Sequence, residues 1–196
     1  MSRPKWGITK EQLNEVVNFV SENMVSGIIA GTGAGKSTNM IQSFYEQNSK
    51  VFVAEPTVPS AENLYRYMGQ RLGTDKVGFA AEGNVQYNNN TKVVYCTSGH
   101  LRRKFLNYFE DGKVKDNKID FCDVIVLDEA HNGSLDYDVI MELWNYALLQ
   151  GAEIPRLVLA SATISKESTI FENLPFYEIE IKGFHVEVEY TDEDYD

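Results

Sequence analysis

The sequence predicts an α/β fold built on a mostly parallel sheet, and three observations carry that prediction. Short apolar runs alternate with amphipathic stretches from Val25 to Ala160, which is the pattern of repeated strand–helix units. One run, Val124-Ile125-Val126-Leu127, has no polar position, as expected of a strand covered on both faces at the centre of a parallel sheet. A glycine-rich turn, Ala30 to Ser37, joins the first apolar run to the amphipathic stretch after it.

Each element has its own signature. Thr9 and Gln12 have capping-box spacing and open a helix over 9–24, with Leu13, Val16, Val17, Val20 and Met24 as its apolar stripe. Val25 to Ile29 reads as a buried strand, and Met40, Ile41 and Phe44 mark one face of the helix beyond the glycine-rich turn. Val51 to Ala54 is a second strand. Glu55-Pro56-Thr57-Val58-Pro59 reads as a turn, with Ser60 capping a helix that carries Leu64, Tyr65, Met68 and Leu72 and stops at Gly73. Val77 to Ala80 and Lys92 to Cys96 are strands on either side of a polar loop, Asn84 to Thr91. Thr97-Ser98-Gly99 leads into a helix through Leu101, Phe105 and Phe109, followed by a charged loop from Glu110 to Asp120. After the apolar strand come a helix from Val139 to Gln150, a strand from Leu157 to Ala160 and a short helix from Ser165 to Asn173. Strands over Tyr177 to Ile181 and Val186 to Tyr190 complete the chain.

Composition sets the bounds. With 196 residues, 43% hydrophobic and 24% charged, the chain suits one soluble domain with a full core. It has no apolar run of eighteen residues, so no membrane span is expected. Its first residues lack the apolar core of a secretory signal. Cys96 and Cys122 lie in apolar runs and are expected to be buried free thiols in a reducing, intracellular setting, cytoplasmic or nuclear. The net charge of −11 argues against a nucleic-acid partner. That field is screened within about 8 Å at physiological salt, and part of the acidity sits in one stretch, Glu187 to Asp196. A local basic patch can therefore still bind phosphates.

Three stations carry chemistry. The first is Gly31, Thr32, Gly33, Ala34, Gly35, Lys36, Ser37 and Thr38. Strand, glycine-rich turn, Lys-Ser and helix form the context of a phosphate-binding loop. The glycines let successive N–H groups curl toward an anion, and the helix N-terminus adds free N–H groups and partial positive charge. Lys36 has the reach for β- and γ-phosphates, and the Ser37 hydroxyl suits Mg²⁺. The general pattern asks for glycine where Ala30 stands, and the bland alternative is a glycine-rich turn with no ligand. The second station is Asp128-Glu129-Ala130-His131, at the carboxyl end of the most apolar strand, where open α/β sheets bind ligands. There Asp128 can hold Mg²⁺ and Glu129 can orient and deprotonate an attacking water. By itself such an acid pair more often caps a helix. The third station, Ser161-Ala162-Thr163, again follows a buried strand, and its hydroxyls can bond His131 or Asp128.

Together and in this order, these stretches resemble motifs I, II and III of superfamily 2 helicases of the DExH/DEAH group, in which the Ala30 position is commonly Ala or Gly. Glu55-Pro56-Thr57 resembles motif Ia, and Tyr95-Cys96-Thr97-Ser98-Gly99-His100-Leu101 resembles motif Ib. The motifs span 30–163. The resemblance implies a RecA-like P-loop NTPase with helices on both sheet faces over 1–182. It implies catalytic roles for Lys36, Asp128, Glu129 and His131, and coupling through Ser161 and Thr163. ATP or another NTP with Mg²⁺ is the implied cofactor set. Single-stranded or duplex nucleic acid is the implied partner, with RNA ahead of DNA, held by its backbone at Pro56, Thr57, Thr97, Ser98 and Gly99. Arg102, with Arg103 and Lys104, either adds local positive charge there or forms a solvated helix face. Val58 stands where the family often has Arg, so one phosphate contact is expected to be missing. Arg66 or Tyr67 lies where relatives stack a residue on the base, with a solvated or half-buried helix face as the equal alternative. Gly183 to Tyr190 resembles the strand that leaves for a second RecA-like domain, which makes 183–196 the start of a linker and that domain a partner. Pro56 to Leu64 with Thr97-Ser98-Gly99 is also similar to viral members. The implied activity is an ATP-dependent helicase. Its rivals are a double-strand DNA translocase and a nucleic-acid-binding assembly module with a vestigial ATPase.

Overall fold

A computed structural model describes residues 8–163 and 169–180. Eight strands form the main sheet: β1 (Val25–Ala30), β2 (Val51–Glu55), β3 (Val77–Ala81), β4 (Asn84–Gln86), β5 (Val93–Thr97), β8 (Val124–Leu127), β9 (Arg156–Ser161) and β10 (Phe176–Ile179). The remaining two, β6 (Phe109–Glu110) and β7 (Lys113–Val114), make a separate small hairpin. The order across the main sheet is β10-β1-β9-β8-β2-β5-β3-β4. Every pairing in it is parallel except β3 with β4. The wholly apolar β8 lies inside the sheet, between β9 and β2, as its lack of polar positions required.

Alternation along the strands builds a core on each face. Val51, Val53 and Val126 point to one side, where they meet Val16, Val17 and Val20 of α1 (Lys10–Glu22), Ile41 and Phe44 of α2 (Ile41–Glu46), and Ala61 and Met68 of α3 (Val58–Leu72). Phe52, Ala54, Ile125 and Leu127 point to the other, against Leu101 and Phe105 of α4 (Ser98–Leu106) and Ile140, Met141 and Trp144 of α5 (Leu135–Leu149). The thiols of Cys96 and Cys122 are free and buried, and burial pushes both far toward the neutral form.

The capping box of Thr9 and Gln12 is present at the start of α1. α1 ends at Glu22, so Met24, expected in its apolar stripe, lies beyond the helix and is 39% exposed. Four further boundaries differ from the sequence reading. Thr57, not Ser60, caps α3, because the Thr57 hydroxyl accepts the Ser60 N–H at 3.2 Å. Pro59 then falls in the first helical turn, where its missing N–H costs nothing. Asn84–Gln86 pairs with β3 rather than looping. All three of its residues are exposed, so apolar alternation could not reveal it. α4 ends at Leu106, and Phe109 belongs to the hairpin within the stretch read as a loop. α5 starts at Leu135 rather than Val139, because the Ser134 hydroxyl accepts the Tyr137 N–H at 3.2 Å. Residues 169–173 carry no helix. The remainder of the helix expected over 165–173, the strand expected over 186–190 and the linker at 183–196 lie outside the described residues. β10 extends the sheet beside β1. Among the described residues no helix is long and apolar enough to cross a membrane.

Candidate functional site

Parallel pairing of β1, β9, β8, β2 and β5 brings all five carboxyl ends to one rim. The three stations and both candidate nucleic-acid turns follow those ends: Ala30 closes β1, Glu55 closes β2, Thr97 closes β5, Leu127 closes β8 and Ser161 closes β9.

The glycine-rich turn is tightly specified. Gly35 adopts a φ of 99° just before a π-helical turn over Lys36–Met40, a departure from regular helix that recurs at functional sites. A Cβ on Gly35 would sit 2.7 Å from Asn39 Nδ2, an amide end that can swing aside, so it is chiefly the left-handed φ that disfavours a side chain. Lys36 is only 4% exposed and folds back over the turn. Its Nζ donates to the carbonyls of Ala30 at 2.7 Å and Gly31 at 3.2 Å. These are exchangeable backbone contacts, and among the described residues no acidic side chain holds the ammonium. Tyr95 of β5 donates its hydroxyl to the Ser37 carbonyl at 2.6 Å and so fixes the start of the helix from below.

The Ser37 hydroxyl donates to Asp128 Oδ2, which joins the first station to the second. Asp128 is 2% exposed, and its Oδ1 accepts the Glu129 N–H at 2.9 Å. From below, the Tyr137 hydroxyl shares its proton between the carbonyls of Ala54 at 2.7 Å and Asp128 at 2.8 Å. Tyr137 and Tyr95 were not evident as site residues from the sequence, where each reads as one more core aromatic. Glu129 takes a left-handed φ of 51°, an unusual backbone for a non-glycine residue and one that clusters at working sites.

The second and third stations also meet. His131 Nδ1 lies 2.7 Å from Ser161 Oγ and 3.4 Å from Glu129 Oε2. The Ser161 hydroxyl also donates to the Thr163 carbonyl and accepts the Thr163 N–H. With its one proton committed there, it accepts from His131, which assigns the imidazole proton to Nδ1. Thr163 therefore joins the network through its backbone.

Glu55, quoted in the motif Ia turn but given no role of its own by the sequence reading, also belongs to this site. It is 2% exposed, its Oε2 accepts the Ser60 hydroxyl at 2.7 Å, and Oε1 has no hydrogen-bond partner among the described residues. Burial first, and then the negative Asp128, push its carboxyl up to about 8, with the Ser60 hydroxyl pulling part of the way back.

The candidate nucleic-acid turns share one construction. Thr57 caps α3, and Thr97 caps α4 by accepting the His100 N–H at 3.4 Å. Pro56 and Gly99 flank these caps. Ser98 donates its hydroxyl to Asp136 Oδ2 at 3.0 Å, and Arg102 Nη1 pairs with Asp136 Oδ1 at 2.9 Å. Arg103 pairs with Glu82 at 3.0 Å. The Lys104 ammonium lies over the rings of Phe121, Phe52 and Tyr87, and burial there lowers its pKa. All three basic residues are thus engaged within the chain, which is less than the open basic patch that one sequence reading allowed. Of the two base-stacking candidates, Arg66 pairs with Glu62 at 2.6 Å, whereas Tyr67 is half exposed. The Arg71 guanidinium lies 5.5 Å from the centre of the Tyr67 ring and donates to Asn39 Oδ1 at 3.1 Å beside the glycine-rich turn.

The chain resembles known proteins in sequence and in fold. Among curated proteins, the chain is 28% identical over 188 residues to "Probable ATP-dependent RNA helicase DHR2" of Saccharomyces cerevisiae, covering 90% of this chain and 24% of that protein. It is 26% identical over 185 residues to "ATP-dependent RNA helicase HrpA homolog" of Haemophilus influenzae, covering 90% and 14%. The chain therefore spans a quarter or less of the length of these relatives. Two crystal structures of Escherichia coli HrpB, described as a DEAH/RHA helicase and as a DExH-box NTPase, share the fold. Their TM-scores are 0.72 and 0.69, each at 22% identity. The first match covers 89% of this chain and 22% of HrpB, the second 85% and 21%. The sheet thus has the RecA-like fold of these structures. The model of the DEAD/DEAH box helicase family matches residues 9–170, most of the sequence, and the chain belongs to that family.

Proposed function

We propose that this chain is the nucleotide-binding RecA-like unit of an ATP-dependent helicase that acts on RNA in preference to DNA. The supporting observation is the meeting of Lys36, Ser37 and Asp128 on one rim of the sheet. Residues 1–182 form that unit in this reading, and 183–196 begin the connection to a second RecA-like domain. The protein works inside the cell.

The donor set fits a triphosphate with Mg²⁺. The Ser37 hydroxyl and the buried Asp128 carboxylate offer hard oxygens side by side. They would hold the ion, which neutralises charge on the β- and γ-phosphate oxygens. Lys36 exchanges its two backbone carbonyls for phosphate oxygens. Gly31, Thr32, Gly33, Ala34, Gly35 and Thr38 would line the phosphates, the Ala34 and Thr38 N–H groups first leaving the Gly31 and Gly35 carbonyls that they bond at 3.2 Å and 3.3 Å. Tyr67 stacks on the base, steadied by Arg71. Glu129 orients the attacking water and takes its proton. His131 carries the state of that site to Ser161 and Thr163 through the 2.7 Å contact.

On the same rim, Pro56, Thr57, Thr97, Ser98 and Gly99 present helix N-termini to a nucleic-acid backbone. Contacts of that kind position a strand and read no sequence. Arg102 joins them once its pairing with Asp136 opens.

An arginine supplied by a second domain is worth about 10³–10⁵ in rate, so the chain alone should turn over ATP far below about one per second. The test is ATP turnover with and without single-stranded RNA, for the wild-type chain and Glu129→Gln. RNA stimulation that the variant loses supports the proposal. Turnover indifferent to both RNA and the substitution points to a binding module with a vestigial ATPase. A parallel series with single-stranded DNA tests the preference for RNA.

A further inference from the structure

Asp136 stands where three candidate nucleic-acid residues converge. It lies in the first turn of α5, just after the second station. Its Oδ1 is 2.9 Å from Arg102 Nη1, and its Oδ2 accepts the Ser98 hydroxyl at 3.0 Å. The same Oδ2 lies 3.3 Å from where a Cβ on Gly99 would stand, a tight contact that sets the carboxylate against the start of α4. A hydroxyl, a guanidinium and a helix N-terminus are the donor set that binds a phosphate. Here one internal carboxylate takes the hydroxyl and the guanidinium and lies beside the helix N-terminus.

The pairing is only partly satisfied. Arg102 Nε is buried without a hydrogen-bond partner among the described residues. The Arg102 and Asp136 side chains remain 36% and 27% exposed. An ion pair open to solvent to this degree is weak enough for a competing anion to break.

We propose that Asp136 is an internal anion that occupies the phosphate donors of the motif Ib turn, and that a phosphodiester of a bound single strand displaces it. This rests on the proposed function in taking that turn as a nucleic-acid contact. Arg102 is then a reserve cation, paired internally without nucleic acid and turned to phosphate when the strand arrives. Because Asp136 belongs to the helix that follows Asp128-Glu129-Ala130-His131, its release also ties the grip on the strand to the nucleotide side of the rim.

The experiment measures the affinity of a fluorescently labelled single-stranded oligoribonucleotide across a salt series. Its subjects are the wild-type chain, Asp136→Asn, Arg102→Ala and the double variant. Asp136→Asn keeps the size of the side chain and one of its two acceptor oxygens and removes its charge. It should tighten binding several-fold while leaving the slope of log Kd against log salt close to the wild type's, since Arg102 reaches the same phosphate in both bound states. The double variant should lose the gain and show a slope shallower by about 0.7, the increment for one phosphate contact on a single strand. Asp136→Asn binding no tighter than wild type overturns the proposal. So does a gain that survives in the double variant, since the effect would then be a general field and not the release of Arg102. If neither wild type nor Asp136→Asn binds the oligonucleotide, the underlying nucleic-acid reading falls instead. Asp136→Ser replaces the Asn variant if thermal melting shows that the latter does not fold.

Discussion

Ser37, on the turn after β1, donates its hydroxyl to Asp128, on the turn after β8, across a sequence separation of 91 residues. The sheet makes this contact possible, because β1 and β8 flank β9 in parallel and end on the same rim. Replacing Ser37 by Ala leaves a 2%-exposed carboxylate short of a donor. Losing one partner of such a buried group costs about 1–3 kcal/mol. Urea denaturation in EDTA should show that loss for Ser37→Ala. The same variant should bind ATP less tightly with Mg²⁺ present, and to a smaller extent without it.

The turn itself should tolerate nothing larger than glycine at position 35. Gly35→Ala has to hold a φ of 99° and clear an Asn39 Nδ2 at 2.7 Å. Backbone strain of this kind costs about 1–3 kcal/mol, and it falls where the phosphates would lie. Nucleotide affinity should drop about tenfold or more, while far-UV circular dichroism shows the sheet and helices intact.

Tyr67 and Arg66 give a sharp contrast on one helix. Stacking on an aromatic ring is worth about 0.5–1.5 kcal/mol beyond area, so Tyr67→Ala should weaken ATP binding roughly three- to tenfold. Arg66→Ala breaks only an exposed pair with Glu62 and should leave affinity unchanged. Calorimetric titration of both variants checks this, and the reverse ranking would assign the base to Arg66.

Glu55 imposes a pH dependence on stability. Its folded-state pKa of about 8 stands above the ordinary carboxylate range, chiefly through burial. Between that range and about 8 the folded chain holds a proton that the unfolded chain has released. Stability from this group is therefore present at low pH and falls as pH rises through the window. Glu55→Gln cannot ionise, so in EDTA it should gain stability over wild type at pH 8 and show little gain at pH 5. Unfolding free energies at the two pH values measure the difference.

The parallel sheet was legible because its strands are short apolar runs between amphipathic stretches. Val124 to Leu127 announced its interior place by lacking any polar residue. The stations were legible because each follows such a run directly, so locating the strand located the rim. What escaped depends on partners distant in sequence. Tyr95 looks like a core aromatic until the fold sets its hydroxyl against the Ser37 carbonyl, 58 residues away. Glu55 looks like a turn acid until α3 and Asp128 close over it. Nothing within the segment Ser98 to Lys104 says that Arg102 meets Asp136 on the next helix. The β4 strand escaped for another reason: its residues are exposed and alternate in nothing.

The central claim is that Lys36, Ser37 and Asp128 form one pocket for a triphosphate with Mg²⁺, and equilibrium binding of a fluorescent ATP analogue to the wild-type chain and to Lys36→Ala tests it most directly. The expected result is saturable, Mg²⁺-dependent binding by the wild type and a loss of about tenfold or more in the variant, since an ammonium that hydrogen-bonds phosphate contributes about 1.5–3 kcal/mol. Equal affinity for both chains, or wild-type binding indifferent to Mg²⁺, would contradict it.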